Sequence, residues 1–194
     1  MAGGRSSRLG RDKAFIEYHG KPQVLHLYEM LASLQVPAYI SCQRSQADQF
    51  QGICPLIFDG DLSIGPLGGI FAAMGAYPVH DWLVIASDMP MVTERTLVRL
   101  MQKYGKKSVT TYKSQKKAFP EVLLTIYKKE LLPTFRKAIH RRNYSLQTLL
   151  KSMEKHFVIP ENELELLNVN TVEDLNAVLH LIRDQQLPNR PNSD

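Results

Sequence analysis

The run Trp82-Leu83-Val84-Ile85-Ala86 is apolar throughout and is followed at once by Ser87-Asp88-Met89-Pro90. A short, uninterrupted apolar run of this kind marks a strand buried on both faces. Such a strand needs helices above and below it, and the rest of the chain supplies them in alternation with further strands. Pro22 can open a helix along which Val24, Leu25, Leu27, Tyr28, Leu31 and Leu34 recur at helical spacing. Residues 68–77, rich in small side chains, predict a helix packed closely on its neighbours. Thr93 can cap a helix with Leu97, Leu100 and Met101 inward, and further helices are expected near 130–138 and 146–154. Thr171-Val172-Glu173-Asp174, a near capping box, opens a last helix with Leu175, Val178, Leu179 and Ile182 on one face. Strands are expected at 38–42, 56–58, 108–112, 122–127 and 157–159. The alternation predicts an α/β fold, a three-layer open and mostly parallel sheet with helices on both faces. Ligands of such sheets bind beyond the carboxyl ends of the strands, at the switch point, and Asp88 stands at one such end.

With 194 residues, 44% hydrophobic and 22% charged, the chain has the make-up of one globular domain. That domain is expected to span residues 1–184, with a disordered tail at 185–194. The formal net charge is +5. Its cations, concentrated at positions 103–117 and 128–142, are interleaved with apolar residues. They read as solvated helix faces and loops rather than as a nucleic-acid patch, and an anionic small-molecule ligand fits the charge equally well. No apolar run approaches the ~20 residues that cross a bilayer, and the first residues lack the apolar core of a secretory signal. The two cysteines, Cys42 and Cys54, form neither a C-x-x-C pair nor a disulfide framework, so a reducing, cytoplasmic setting is expected. The six histidines show no H-x-H or H-E-x-x-H spacing, which argues against a zinc enzyme. The absence of G-x-S-x-G leaves a serine hydrolase unsupported.

The densest chemical signal is Ala2-Gly3-Gly4-Arg5-Ser6-Ser7-Arg8-Leu9-Gly10-Arg11-Asp12-Lys13. Glycines admit close backbone approach, and N–H groups with Arg and Lys neutralise charge, a combination suited to a polyphosphate. On composition alone the same stretch also reads as a flexible leader. It is neither a Walker A loop nor G-x-G-x-x-G. Asp88 can hold Mg²⁺, which takes oxygen ligands and bridges phosphates, or can cap the helix that follows. Asp59 and Asp61 flank Gly60 and can form a plain turn. Asn168 and Asn170 fall on one side of an extended segment, where their amides either meet a ligand edge or tie the loop before the last helix.

The glycine-rich segment resembles the signature L-A-G-G-x-S-x-R-M-G-x-D-K of the MobA-like nucleotidyltransferases, with Met1 in the Leu position and Leu9 in the Met position. Gly65-Pro66-Leu67-Gly68-Gly69-Ile70 resembles the family's G-P-L-x-G, and Ser87-Asp88-Met89-Pro90 its C-D-M-P. Phe119-Pro120-Glu121 is similar to F-P-E-P, and Leu167-Asn168-Val169-Asn170-Thr171-Val172-Glu173-Asp174-Leu175 to L-N-V-N-T-P-E-D-L. These segments keep the family's order from one end of the chain to the other. The resemblance is closest to molybdenum cofactor guanylyltransferase and implies a Rossmann-like nucleotidyltransferase fold. It implies transfer of GMP from GTP to molybdopterin carrying molybdenum, with release of pyrophosphate. Lys13, Arg8 and Asp88 then take catalytic roles, and Asp88 holds Mg²⁺. The nucleotide falls to Ala2, Gly3, Gly4, Arg5, Ser6, Ser7, Lys13, Gln43, Asp59, Gly65, Pro66, Leu67, Gly68 and Asp88. Molybdopterin falls to Asn168, Asn170, Pro120 and Glu121, whereas Asp12 anchors the loop. The implied partners are GTP and molybdopterin or the molybdenum cofactor, with cofactor-assembly or molybdoenzyme chaperone proteins as further candidates. Nucleic acid and membrane are not among them.

Some features depart from that pattern. A strand of about six apolar residues normally precedes the family's glycine loop, and here Met1 lies inside the motif. The fold is therefore expected to lack its first strand, with Met1 an internal methionine or the chain cut from a longer one. Gln43 stands where the family tends to have Asn, and Val172 replaces the Pro of N-T-P. A CMP-transferring sister enzyme, which resembles L-A-A-G and D-Q-P, is one alternative. Another MobA-like nucleotidyltransferase and a truncated, non-catalytic nucleotide-binding module are the others.

Overall fold

The computed structural model describes residues 1, 12–50, 52–60 and 64–186. Helix α1 (Gln23–Ser33) leads to strand β1 (Ile40–Cys42), and a 3-10 stretch (Arg44–Phe50) leads to β2 (Leu56–Phe58). Helix α2 (Pro66–Ala76) then precedes β3 (Trp82–Ile85), and α3 (Glu94–Gln102) precedes β4 (Val109–Tyr112) and β5 (Leu124–Tyr127). Helices α4 (Leu132–His140) and α5 (Leu146–Lys151) lead to β6 (Lys155–Val158), and α6 (Val172–Gln186) closes the described chain. The last helix thus runs past the expected domain boundary at 184, and residues 187–194 of the expected tail lie outside the described residues.

Local chemistry accounts for the element ends. The Thr93 hydroxyl accepts from the Thr96 N–H at 3.2 Å and starts α3. Pro66 sits in the first turn of α2, where a missing N–H costs nothing. Gly65, with φ at 69°, makes the turn into that helix. Asp174 accepts from the Thr171 N–H at 3.0 Å while Thr171 accepts from the Asp174 N–H at 3.2 Å, the reciprocal cap expected for α6.

Strands β1 and β2 pair in parallel, and the four-stranded sheet has the order β3-β5-β4-β6. Strand β6 is parallel to β4, but β5 is antiparallel to both its neighbours. The reversal follows from the connection. Residues 113–123 carry no helix to cross the sheet, so β5 returns beside β4. One face is covered by α1 and α3 through Leu27, Met30, Leu97 and Leu100. The other is covered by α2, α4 and α5 through Leu67, Ile70, Phe135 and Leu149. Successive residues of β3 supply both faces, Val84 to one core and Ile85 to the other, as the unbroken apolar run predicts.

The two sheets are separated by an apolar slot of about 480 Å³, lined by residues of β1 (Ile40, Ser41) and by every residue of β3. Met1 lies at one end of it. Its nitrogen donates to the Ile85 carbonyl at 2.8 Å, and its carbonyl accepts from the Ser87 N–H at 3.3 Å. Straddling Ala86 in this way is the bond pattern of a parallel ladder. Met1 therefore occupies one position of a strand line beside β3, on the side that faces β1. The slot walls include the Trp82 side chain, whose buried indole N–H has no partner.

Filling the slot is expected to stabilise the fold. Joining about five apolar residues, a length matched to β3 at ~3.3 Å per residue, ahead of Met1 should raise the melting temperature by about 2–4 °C per kcal/mol gained. A polar extension of equal length should not. Equal melting temperatures for the two extensions would show that the slot does not accept a strand.

Candidate functional site

The site is built around residues 87–90, which leave the carboxyl end of β3. Each of their backbones is tied to a different part of the chain. The Ser87 N–H donates to Met1, and the Asp88 carbonyl accepts from the Val169 N–H at 2.8 Å. The Met89 carbonyl accepts from the Gln23 side-chain amide at 3.4 Å, and the Pro90 carbonyl lies 2.9 Å from His19 Nε2. A carbonyl can only accept, so His19 carries a proton on Nε2. Gln23 is fully buried at the start of α1, which makes that helix the back support of the loop.

The Asp88 carboxylate, half-buried, is held from two sides. Lys13 Nζ lies 3.2 Å from Oδ2, and the Asn168 amide reaches Oδ1 at 3.5 Å. Lys13 Nζ also donates to Asn170 Oδ1 at 2.7 Å. On the far side of Asn168, Lys117 Nζ donates to its Oδ1 at 2.9 Å and to the Leu166 carbonyl at 2.7 Å, and lies 3.5 Å from Glu121 Oε2. A continuous polar line therefore runs Asn170, Lys13, Asp88, Asn168, Lys117, Glu121. Burial pushes the Glu121 carboxyl above its ordinary range, Lys117 opposes that shift, and Asp88 adds to it. The Glu121 backbone is fixed by the Thr111 hydroxyl, which donates to its carbonyl at 2.7 Å, and by its own N–H on the Tyr112 carbonyl at 2.9 Å.

Lys13 is brought into this line by Asp12. Asp12 Oδ1 accepts from the Ala14 N–H at 3.0 Å and caps the short turn Lys13–Phe15, and Oδ2 accepts from the Gln46 amide. Asp12 thus anchors the turn that carries Lys13, and the glycine-rich loop it was expected to anchor lies outside the described residues. Gln46 in turn accepts from the Gln43 N–H at 3.0 Å, so the turn after β1 is tied to the residue before Lys13.

The other residues assigned to the nucleotide lie past the ends of β1 and β2. Gln43 is exposed directly after β1. Asp59 follows β2 and accepts from the Ser41 hydroxyl. A Cβ at Gly69 would come within 2.5 Å of Ser41 Oγ and 2.8 Å of Asp59 Oδ1, so only glycine lets α2 sit this close to those strand ends. Gly65 and Pro66 are exposed at the start of α2, whereas Leu67 and Gly68 are buried in its first turn and can offer only backbone to a ligand. Ala2, Gly3, Gly4, Arg5, Ser6, Ser7, Arg8 and the competing Asp61 lie outside the described residues. Lys13, Asp88, Asn168, Asn170 and Glu121 come together, and half-buried Pro120 adjoins Glu121.

Lys117, Gln46 and Ser41 were not legible as site residues. Lys117 sits in a basic stretch that reads as solvated, and nothing in its spacing separates it from Lys116, which is exposed as Lys117 is. Among the described residues no three or more His, Cys, Asp or Glu side chains gather as a metal cluster. Mg²⁺ needs no such cage, because one or two carboxylates with substrate phosphates and water suffice. Asp88, open to the site and backed by donors, fits that requirement.

The family model for the MobA-like NTP transferase domain matches residues 1–157. A molybdenum cofactor biosynthesis bifunctional protein of Synechocystis is 30% identical over 92% of this chain, and the chain spans 52% of that protein. A molybdenum cofactor guanylyltransferase of Pseudomonas fluorescens is 29% identical, over 91% of this chain and 90% of that protein. Among solved structures, the molybdopterin-guanine dinucleotide biosynthesis protein A of Archaeoglobus fulgidus superposes with a TM-score of 0.79 over 94% of this chain and 96% of that one, at 22% identity. At that identity the likeness is one of fold.

The support behind the Asp88 loop has a pH signature. His26 stacks on His19 with ring centroids 4.1 Å apart, and burial, followed by the neighbouring His19 and Lys21, lowers its pKa from 6.5 to about 4. The unfolded chain then binds a proton that the folded chain refuses. Stability contributed by neutral His26 is complete above about pH 6.5 and is lost as the pH falls toward 4. Denaturant titrations at pH 7 and pH 5 should show this loss in the native chain and a smaller one in His26→Gln. Equal losses in the two would remove His26 from the pH response.

Proposed function

The chain belongs to the MobA-like NTP transferase family, and from that premise we propose that it transfers GMP from GTP to molybdopterin-type molybdenum cofactor, releasing pyrophosphate. The observation that carries the proposal is the line of Lys13, Asp88, Asn168 and Asn170 at the carboxyl end of β3. The names of the relatives at 29–30% identity support the choice of acceptor, and that of the Pseudomonas fluorescens enzyme supports guanylyl transfer.

In this reaction a terminal phosphate oxygen of the acceptor bonds to the α-phosphorus of GTP. The bond from that phosphorus to the bridging oxygen of the β-phosphate breaks, and the electron pair leaves with pyrophosphate. Both reactants are anions, so the protein's work is to hold them in line and offset their charge. Lys13 meets the phosphates, and its present partners Asp88 and Asn170 keep its flexible stem directed into the site. Asp88 would hold Mg²⁺, which would supply positive charge to offset that of the phosphates. The first turn of α2 offers backbone to the nucleotide, to which residues 2–8 are also assigned by resemblance. Asp59 lies on the same side, fixed by Ser41. Asn168, Asn170, Pro120 and Glu121 face the acceptor, where neutral amides suit the mixed donors and acceptors of a pterin edge. Cys42 and Cys54 are free thiols. No helix among the described residues is long and apolar enough to cross a membrane.

Lys13→Ala and Asp88→Asn are each expected to lower kcat for guanylyl transfer on the order of 100-fold or more, the size of losing one preorganised charge contact. Circular dichroism should show both variants folded. Chelation of Mg²⁺ should abolish transfer by the native chain. Full turnover in either folded variant would remove that residue from the mechanism.

A further inference from the structure

Each of the site's asparagines has a lysine on its amide oxygen. Lys13 donates to Asn170 Oδ1, and Lys117 donates to Asn168 Oδ1 at 2.9 Å. An ammonium has three donors and no acceptor, so the amide oxygen must face it and the NH₂ must point the other way. For Asn168 the other way is the Asp88 carboxylate, 3.5 Å from Nδ2. Lys117 and Asp88 thus favour the same orientation of the Asn168 amide from its two ends, and without Lys117 only the longer contact to Asp88 holds it.

Lys117 is itself built into place. The Ser114 hydroxyl donates to Glu163 and accepts from the Lys116 and Lys117 N–H groups at 2.9 and 3.2 Å. The Gln115 N–H reaches the same Glu163 carboxylate at 3.0 Å. The loop between β4 and β5 is thereby pinned to the short turn Glu163–Leu166 that precedes Asn168. Lys117 Nζ then closes on the Leu166 carbonyl at 2.7 Å, which fixes the ammonium independently of Asn168. The ammonium is therefore a fixed reference and the Asn168 amide is the part that can turn.

We propose that Lys117 is a positioning residue for the acceptor half of the reaction. It orients the Asn168 amide so that its NH₂ faces Asp88 and the acceptor's phosphate and pterin oxygens. The guanylyl-transfer assignment is its premise, but the orientation of the amide stands apart from it and is tested separately.

Steady-state kinetics of Lys117→Met, which keeps the stem and removes the donors, should show KM for molybdopterin raised about tenfold, the scale of one charge-assisted hydrogen bond. KM for GTP should be unchanged. Lys117→Arg should restore most of the loss. In an Asn168→Ala background, Lys117→Met should add less than about twofold, because its effect passes through the amide. An unchanged KM for molybdopterin, or the full effect retained in the Asn168→Ala background, would overturn the proposal. Lys117→Gln provides the same comparison if Lys117→Met fails to fold. The second readout needs no turnover. The Asn168 side-chain amide resonances of ¹⁵N-labelled protein, assigned by their loss in Asn168→Ala, should shift or broaden in Lys117→Met and persist in Lys117→Arg. Unchanged resonances in Lys117→Met would overturn the proposal even if the native chain proved to transfer no guanylyl group. Absence of transfer by the native chain with a shifted amide would fault the assignment of the reaction alone.

Discussion

The backbone of residues 87–90 is the point on which the site depends. It is held at successive residues by Met1, Val169, Gln23 and His19. These partners come from opposite ends of the chain and from α1, so the loop brings remote sequence to one place. The bond from the Val169 N–H to the Asp88 carbonyl has a particular consequence. It fixes the spacing of Asn168 and Asn170 from Asp88, and their amides then fall within reach of the carboxylate and of Lys13. Buried backbone groups that lost such partners would each cost on the order of 1–3 kcal/mol.

The slot between β1 and β3 bears on the same loop. Met1 bridges Ile85 and Ser87 on one side and lies against the Gly69 position on the other. It therefore connects the strand end that carries Asp88 with the strand ends that carry Asp59 and Gln43. Among the described residues, Met1 is one link between the two halves of the candidate nucleotide site, and the chain of Gln43, Gln46, Asp12 and Lys13 is another.

Much of the fold was legible because its signals are local. The helical spacing of Val24, Leu27 and Leu31, the Thr93 and Thr171 caps and the apolar run of β3 each report on their own segment. The reversed direction of β5 was not legible, because direction is set by which strand a loop returns beside. The apolar triplet 157–159 likewise pointed to a strand that starts at Lys155, where only pairing with β4 defines the start. In the site, Lys13, Asp88, Asn168 and Asn170 were found through segments whose order resembles a family. Lys117 was missed for a physical reason. A lysine acts through where its long stem ends, and the fixed loop at Ser114 and Glu163 that determines this is a tertiary feature.

Guanylyl transfer is the reaction on which this arrangement of residues converges. The most direct test is a competition in which the protein, Mg²⁺ and molybdopterin meet equimolar GTP, CTP, ATP and UTP, and the pterin product is identified by mass spectrometry. A guanine dinucleotide is expected as the dominant product, with one pyrophosphate released for each. A cytosine dinucleotide would contradict the guanylyl assignment while keeping the family chemistry. Pterin recovered unmodified, from protein shown to be folded, would contradict the account as a whole.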